Sequence, residues 1–255
     1  MGVSLLPALG VAAEPVMLCV AYHESSAATA VLFCGDLTRE RASMLSHPSL
    51  APFARFCAER LTSKLASRLP GWSTVLVLPP RSVDGFSCYD CGFLDAVNIT
   101  GDPLNGAYST DGSCCSHVLS LLRYASETYA GLASKPVHLL GFSKGGVVLN
   151  QILAEWGAEE IQPDPAQLLL SAASLSFLDP GLNGEGPIFL DDRPVLRRVA
   201  HRLRARLPSP PRLLVSLTPY TMGSMKACPR VASLFREFLP RSWKVRAAFF
   251  ELSVT

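Results

Sequence analysis

The sequence predicts an α/β fold, a doubly wound and mainly parallel sheet of the α/β-hydrolase type, on three observations. Short apolar runs alternate with stretches of helical spacing along most of the chain, the pattern of βα units whose strands lie parallel. One apolar run, with Val137, Leu139 and Leu140, stops at Gly141, and after Ser143 Val147, Val148, Gln151, Ile152 and Ala154 continue at helical spacing. Across that junction Gly141, Ser143 and Gly145 spell G-x-S-x-G, in which a tight strand-to-helix turn lifts a serine above the strand ends.

A chain of 255 residues holds one such domain, taken as 1–255 with residues 1–29 as an irregular N-terminal extension. The segment Met1 to Tyr22 is apolar but interrupted by Pro7, Glu14 and Pro15, so no transmembrane segment is expected. Neither Lys nor Arg precedes Arg39, and no import or secretory leader is legible. Ala30 to Cys34 reads as a short strand ending at Gly35-Asp36. Pro52 to Leu69 carries Phe53, Phe56, Leu61 and Leu65 at helical spacing and is stopped by Pro70-Gly71. Thr74 to Leu78 is a buried parallel strand closed by two prolines.

Arg81 to Gly112 is long, rich in Gly, Asp, Asn and Ser, and studded with Phe86, Tyr89, Phe93 and Tyr108. A loop of that length in a compact domain is usually functional or disordered, and the aromatics argue for order, so this one is expected to wall a substrate pocket. Asn98-Ile-Thr100 matches a glycosylation acceptor but, without a secretory leader, is read as a chance match. Ser113 to Gly131 is an amphipathic helix. Gln167 to Leu178 reads as the strand after the serine helix, and Pro194 to Leu207 as a basic amphipathic helix. A solvated outer helix is the favoured reading of the latter, a weak membrane-surface contact the alternative. Arg212 to Leu217 and Val245 to Phe250 read as strands, with a helix from Val231 to Leu239 between them.

These placements assign chemistry. Ser143 is the candidate nucleophile for acyl transfer, and the N–H of Lys144, at a helix N-terminus, is a candidate oxyanion donor. The loop after an early strand supplies the second donor in such folds, which points to backbone N–H groups around Asp36. Asp179, at a strand end, is the candidate acid, with Asp191 and Asp192 as runners-up. The order calls for a histidine after the last strand, yet the only histidine beyond Ser143 is His201. His138 lies within the serine strand and is read as structural.

Other functions find little support. A net charge of +2 gives no field for nucleic acid. Lys144 follows the serine, and no phosphate-cradling G-x-x-x-x-G-K-[ST] exists. The eight cysteines are too sparse for a disulfide scaffold, which fits a reducing compartment. Cys88-x-x-Cys91 has no matching second pair in Cys114-Cys115, so neither metal nor cofactor is expected. The implied partner is a small acyl substrate.

Phe86-Ser-Cys-Tyr-Asp90, Gly141-Phe-Ser-Lys-Gly with Val147-Val-Leu-Asn-Gln151, Leu178-Asp179 before a Gly-containing turn, and Thr218-Pro-Tyr220 occur in this order. Together they resemble the mitochondrial α/β-hydrolase-like family named chromosome 2 open reading frame 69, from about Val31 to Tyr220. The resemblance implies a serine-hydrolase-like fold, mitochondrial location and a supporting role in respiratory function, with Ser143 as nucleophile and Asp179 as acid. Cytoplasm is the alternative location. The chain departs from the family in its C-terminal segment, which lacks the family's histidine, and in having Pro180-Gly181-Leu182 where the family has Gly-Gly-His. A shortened or diverged C-terminus is therefore expected. Two functions follow: a serine hydrolase acting on an ester, thioester or amide, or a non-catalytic hydrolase-like binding protein without a general base.

Overall fold

Near-continuous apolar strands need cover on both faces, and eight strands here form one such sheet. The structure is a computed structural model that describes residues 2–12, 14–104, 108–180, 192–205, 210–218 and 244–245. The strands are β1 (Val3–Ala8), β2 (Val16–Ala21), β3 (Ala28–Phe33), β4 (Trp72–Val77), β7 (Val137–Phe142), β8 (Ala172–Leu178), β9 (Arg212–Ser216) and β10 (Lys244–Val245). Their order is β1-β2-β4-β3-β7-β8-β9-β10. The β1–β2 and β2–β4 pairs are antiparallel, and from β4 to β10 every pair is parallel. A short hairpin of β5 (Arg81–Val83) and β6 (Phe86–Cys88) stands apart.

Period-2 alternation sorts the strand residues between the two faces. Leu18, Val20, Val75 and Val77 enter the larger apolar cluster, together with Val118, Leu122, Val148 and Ile152 from helices α3 (Ser113–Thr128) and α4 (Gly146–Trp156). Cys19, Leu76 and Leu78 enter the smaller one, with Ala58 from helix α2 (Ala58–Arg68). The predicted fold class is therefore observed, with two antiparallel strands added at one edge.

Several boundaries differ from expectation, each for a physical reason. Residues 1–29 are not irregular, because they hold β1, β2 and the start of β3. Pro7 does not prevent this, since β1 is an edge strand and one side of its backbone needs no ladder donor. The helix expected over Pro52 to Leu69 divides into a 3-10 segment (Ala51–Phe56) and α2, separated by Cys57 in extended conformation. The strand expected from Gln167 starts at Ala172. Before it runs helix α5 (Pro163–Ser171), opened by prolines in its first turn, where a missing N–H costs nothing. Helix α1 (Arg41–Ser46) follows the β3 loop, and α6 (Arg193–Ala205) matches the basic helix. Val231 to Leu239, Asp191 and most of the final expected strand lie outside the described residues.

Candidate active site at the carboxyl edge of the sheet

Register brings the candidate residues together. Phe142 of β7 pairs with Leu178 of β8, and Phe33 of β3 pairs with Gly141. The chain leaves these adjacent parallel strands at Ser143, at Asp179 and at Cys34-Gly35, all on one edge of the sheet. Parallel neighbours lie roughly 4.8 Å apart, so Ser143 and Asp179 start as neighbours.

Ser143 has φ 50° and Asp179 φ 46°. Left-handed backbone at a non-glycine residue costs on the order of 1–3 kcal/mol and persists only where the surroundings hold it. Three glycines do so at Ser143. A Cβ on Gly141 would stand 2.7 Å from the carbonyl oxygen of Gly145, one on Gly145 would stand 2.2 Å from the carbonyl oxygen of Phe33, and one on Gly35 would stand 2.9 Å from Cβ of Ser143. The small residues of G-x-S-x-G are thus required by backbone on both sides. A 3-10 turn, Ser143–Gly145, then leads into α4. The first amides of such a segment lack intrahelical acceptors, and the Lys144 N–H is among them.

Asp179 is held by its neighbours. Its N–H donates to the Ser216 carbonyl at 2.7 Å, and its carboxylate accepts from the Thr218 N–H at 2.9 Å and from the Thr218 hydroxyl at 2.8 Å. Asp192, a runner-up for the acid, instead accepts from the Val195 N–H at 2.9 Å at the start of α6.

The Lys144 side chain was not foreseen. It is fully buried, and its ammonium donates to Asp102 Oδ1 at 2.6 Å. Asp102 also accepts from the Thr100 hydroxyl at 2.8 Å, and Asn98 Oδ1 accepts from the N–H groups of Thr100 and Asp102. The Asn98-Ile-Thr100 motif is therefore a turn that presents a carboxylate to Lys144. The turn is pressed against β6, since a Cβ on Gly101 would stand 2.0 Å from the Ser87 carbonyl oxygen.

The β3 loop is tied to the same strap. Asp36 Oδ1 accepts from the Ser87 N–H at 2.7 Å, the Ser87 hydroxyl donates to the Gly35 carbonyl at 3.2 Å, and Arg39 donates to Ser87 Oγ at 3.3 Å and to the Thr38 carbonyl at 2.7 Å. Tyr89, also buried, donates to the carbonyls of Cys34 and Val77. Burial pushes the Asp36 carboxyl up from its ordinary range, against the pull of the Ser87 N–H and of Lys144 and Arg39. Burial likewise lowers the Arg39 guanidinium. The loop expected to wall a pocket does pack against the candidate site.

The five histidines all serve elsewhere or stand away from this edge. His138 stacks on Trp72 with ring centroids 4.2 Å apart and shares a 2.8 Å hydrogen bond with Ser174. His117 is buried and accepts from the Val11 N–H at 3.1 Å. The His23 N–H donates to Ser73 at the opposite end of the strands, and exposed His47 pairs with Ser49. His201 sits beside Arg202, whose guanidinium donates to the carbonyls of Trp156 and Ala158 at the far end of α4. Eleven residues of α4 separate that end from Ser143, about 16 Å of helix. Arg198 donates to Gly157 at the same end. Two of the basic residues of α6 are thus fixed at a helix C-terminus, where cations are favoured.

Residues 123–204 match the C2orf69 family model. The chain resembles the C2orf69 family. The "mitochondrial protein C2orf69 homolog" of Danio rerio is 29% identical over 188 residues, which is 67% of this chain and 53% of that protein. The chain therefore spans about half the length of this curated relative. Among solved structures, a lipase/esterase from Lactobacillus plantarum aligns over 100% of this chain and 91% of its own, at 14% identity and a TM-score of 0.50. A second protein of that species aligns over 97% and 86% at 13% identity and a TM-score of 0.50. These likenesses fix the fold as that of the α/β-hydrolase esterases.

Two further polar groups escaped the sequence reading. Glu155 is buried in α4, and its carboxylate accepts from the N–H groups of Cys114 and Cys115 at 2.9 and 2.8 Å, capping α3 from another element. Gln151 bridges Glu155 to the backbone of Ser109. Polar residues four apart in a mostly apolar helix were the available signal. Among the described residues, no group of three or more His, Cys, Asp or Glu could hold a metal ion, and no helix is long and apolar enough to cross a membrane.

Proposed function

We propose that this chain is a serine hydrolase of the carboxylic-ester type, with Ser143 as nucleophile and Asp179 as the acid that orients a base. The observation that carries the reading is the left-handed Ser143 between β7 and α4, wedged by Gly35, Gly141 and Gly145. In the reaction, Ser143 Oγ bonds to the carbonyl carbon of an ester, thioester or amide and passes its proton to solvent water, since the five histidines stand elsewhere. The carbonyl electron pair moves onto oxygen, where the Lys144 N–H and a backbone N–H near Asp36 receive it. Collapse expels the alcohol, thiol or amine, which takes up a proton, and water then releases the acid by the same steps. Labelling by a fluorophosphonate probe, lost in Ser143→Ala, is the expected result; equal labelling of both proteins, or none of a folded sample, defeats it.

The positions of the five histidines favour a second reading, a hydrolase-like binding protein in which Ser143 is not activated. The same probe separates the two. The name of the Danio rerio relative supports a mitochondrial location for this chain as well, and the resemblance to the C2orf69 family adds a supporting role in respiratory function to this reading. Subcellular fractionation of the tagged chain and oxygen consumption of cells lacking it test that extension, with recovery in the cytosol and normal respiration counting against it. We read α6 as a covering helix, for which removal of its exposed arginines leaves liposome binding unchanged.

A further inference from the structure

We infer that Ser87 is a positioning residue for the oxyanion site, and that the second donor of that site is the Asp36 N–H. The inference rests on the proposed role of Ser143 and concerns the peptide that joins Gly35 to Asp36. Gly35 abuts the serine, because a Cβ on it would stand 2.9 Å from Ser143 Cβ, so this peptide borders the site. In a planar trans peptide the N–H points opposite to the carbonyl it is joined to. The Gly35 carbonyl accepts from the Ser87 hydroxyl at 3.2 Å, and the Asp36 carboxylate accepts from the Ser87 N–H at 2.7 Å. Ser87 thus draws both the carbonyl and the Asp36 side chain towards itself, and the Asp36 N–H faces away from it.

Arg39 sets the direction of this chain of bonds. A serine hydroxyl has one proton to donate. Arg39 Nη1 donates to Ser87 Oγ at 3.3 Å, so the oxygen is the acceptor there and its proton goes to Gly35. A donor on a carbonyl polarises the peptide, and a cation behind that donor adds to the effect. Resonance across the C–N bond carries the polarisation to the Asp36 N–H, which becomes a stronger donor to a developing oxyanion. Ser87 is fully buried, and Gly101 packs on it so closely that a Cβ there would stand 2.0 Å from the Ser87 carbonyl oxygen. The next residue, Asp102, holds the side chain of Lys144, whose N–H is the first donor. One strap therefore governs both donors, although neither belongs to it.

The test compares Ser87→Ala, which removes the hydroxyl, with Ser87→Thr, which keeps it, and urea midpoints establish that each variant is folded. Labelling by a fluorophosphonate probe is resolved into a reaction step and a binding constant. We expect Ser87→Ala to slow the reaction step about tenfold, less than the loss of an oxyanion donor itself, and to change probe binding by less than about twofold. Ser87→Thr should react within about threefold of the unmutated rate. Independently of any reaction, the Gly35 carbonyl-carbon and Asp36 amide-nitrogen resonances should move upfield in Ser87→Ala and return in Ser87→Thr. Arg39→Met, which removes the cation and leaves the hydroxyl, should move them the same way by a smaller amount. Equal slowing by Ala and Thr, an effect confined to probe binding, or unmoved resonances in folded Ser87→Ala overturns the inference, and if that variant does not fold, unmoved resonances in Arg39→Met do so. Absent labelling of the unmutated protein, with the resonance changes present, instead overturns the nucleophile assignment and leaves the hold of Ser87 on the Asp36 N–H standing.

Discussion

At the scale of single residues, Lys144 carries two roles that conflict in simple chemistry. Its N–H is a proposed oxyanion donor, while its ammonium is fully buried within one residue of the candidate nucleophile. A buried cation survives only with a partner, and Asp102 supplies one at 2.6 Å. Removing one partner leaves an uncompensated buried charge, at a cost of about 3–5 kcal/mol, whereas replacing both by apolar groups is often nearly neutral. Asp102→Asn and Asp102→Leu are therefore expected to lower the urea midpoint strongly. Lys144→Met with Asp102→Leu should recover much of that loss, as a double-mutant cycle would show. A double variant less stable than either single one contradicts this account.

The elements differ in how plainly the sequence announces them. β3, β4 and β7 read as continuous apolar runs because both of their faces are covered, and Ser143 was legible because a motif fixed by backbone contact leaves its glycines in the sequence. Asp179 was legible as a carboxylate at a strand end. β1 was hidden by Pro7, which an edge strand tolerates, and α5 by Gln167-Leu-Leu-Leu, an apolar run that a strand and a buried helix share. Asp102 could not be found, since its partner is 42 residues away and nothing local marks the pairing. The cap on α3 is of the same kind. Gly112, its N-cap residue, offers no side chain, so the first amides depend on Glu155, 41 and 40 residues distant. Glu155→Ala should cost about 2 kcal/mol in chemical denaturation, from two orphaned buried N–H groups. Glu155→Gln, which keeps acceptor oxygen, should cost less; equal losses would mean that the capping bonds are not what Glu155 contributes.

For the whole molecule, His117 is a side chain that joins distant parts of the described chain. Its Nδ1 accepts from Val11 beyond β1, its ring packs edge-on to Phe93 at 4.6 Å, and Cβ atoms on Gly10 or Gly92 would stand 2.2 and 2.6 Å from it. Accepting from Val11 requires that Nδ1 carry no proton, so the bound ring is neutral, and burial lowers its pKa from 6.5 to about 4. The unfolded chain then binds the proton more readily than the folded one. The stability tied to this histidine is complete above pH 6.5 and is lost as pH falls towards about 4, by at most about 3 kcal/mol. Glu155 acts in the opposite sense, because burial raises its pKa above the ordinary 4.5, and its contribution declines as pH rises from there. The side chain of Asn can place an oxygen near the Nδ1 position and does not titrate. His117→Asn should therefore be less stable than the unmutated protein at pH 7 and should narrow that difference steadily from pH 6.5 to 4. Urea denaturation at half-unit pH steps measures it, and parallel pH profiles for the two proteins would show that protonation of His117 does not limit the fold in acid.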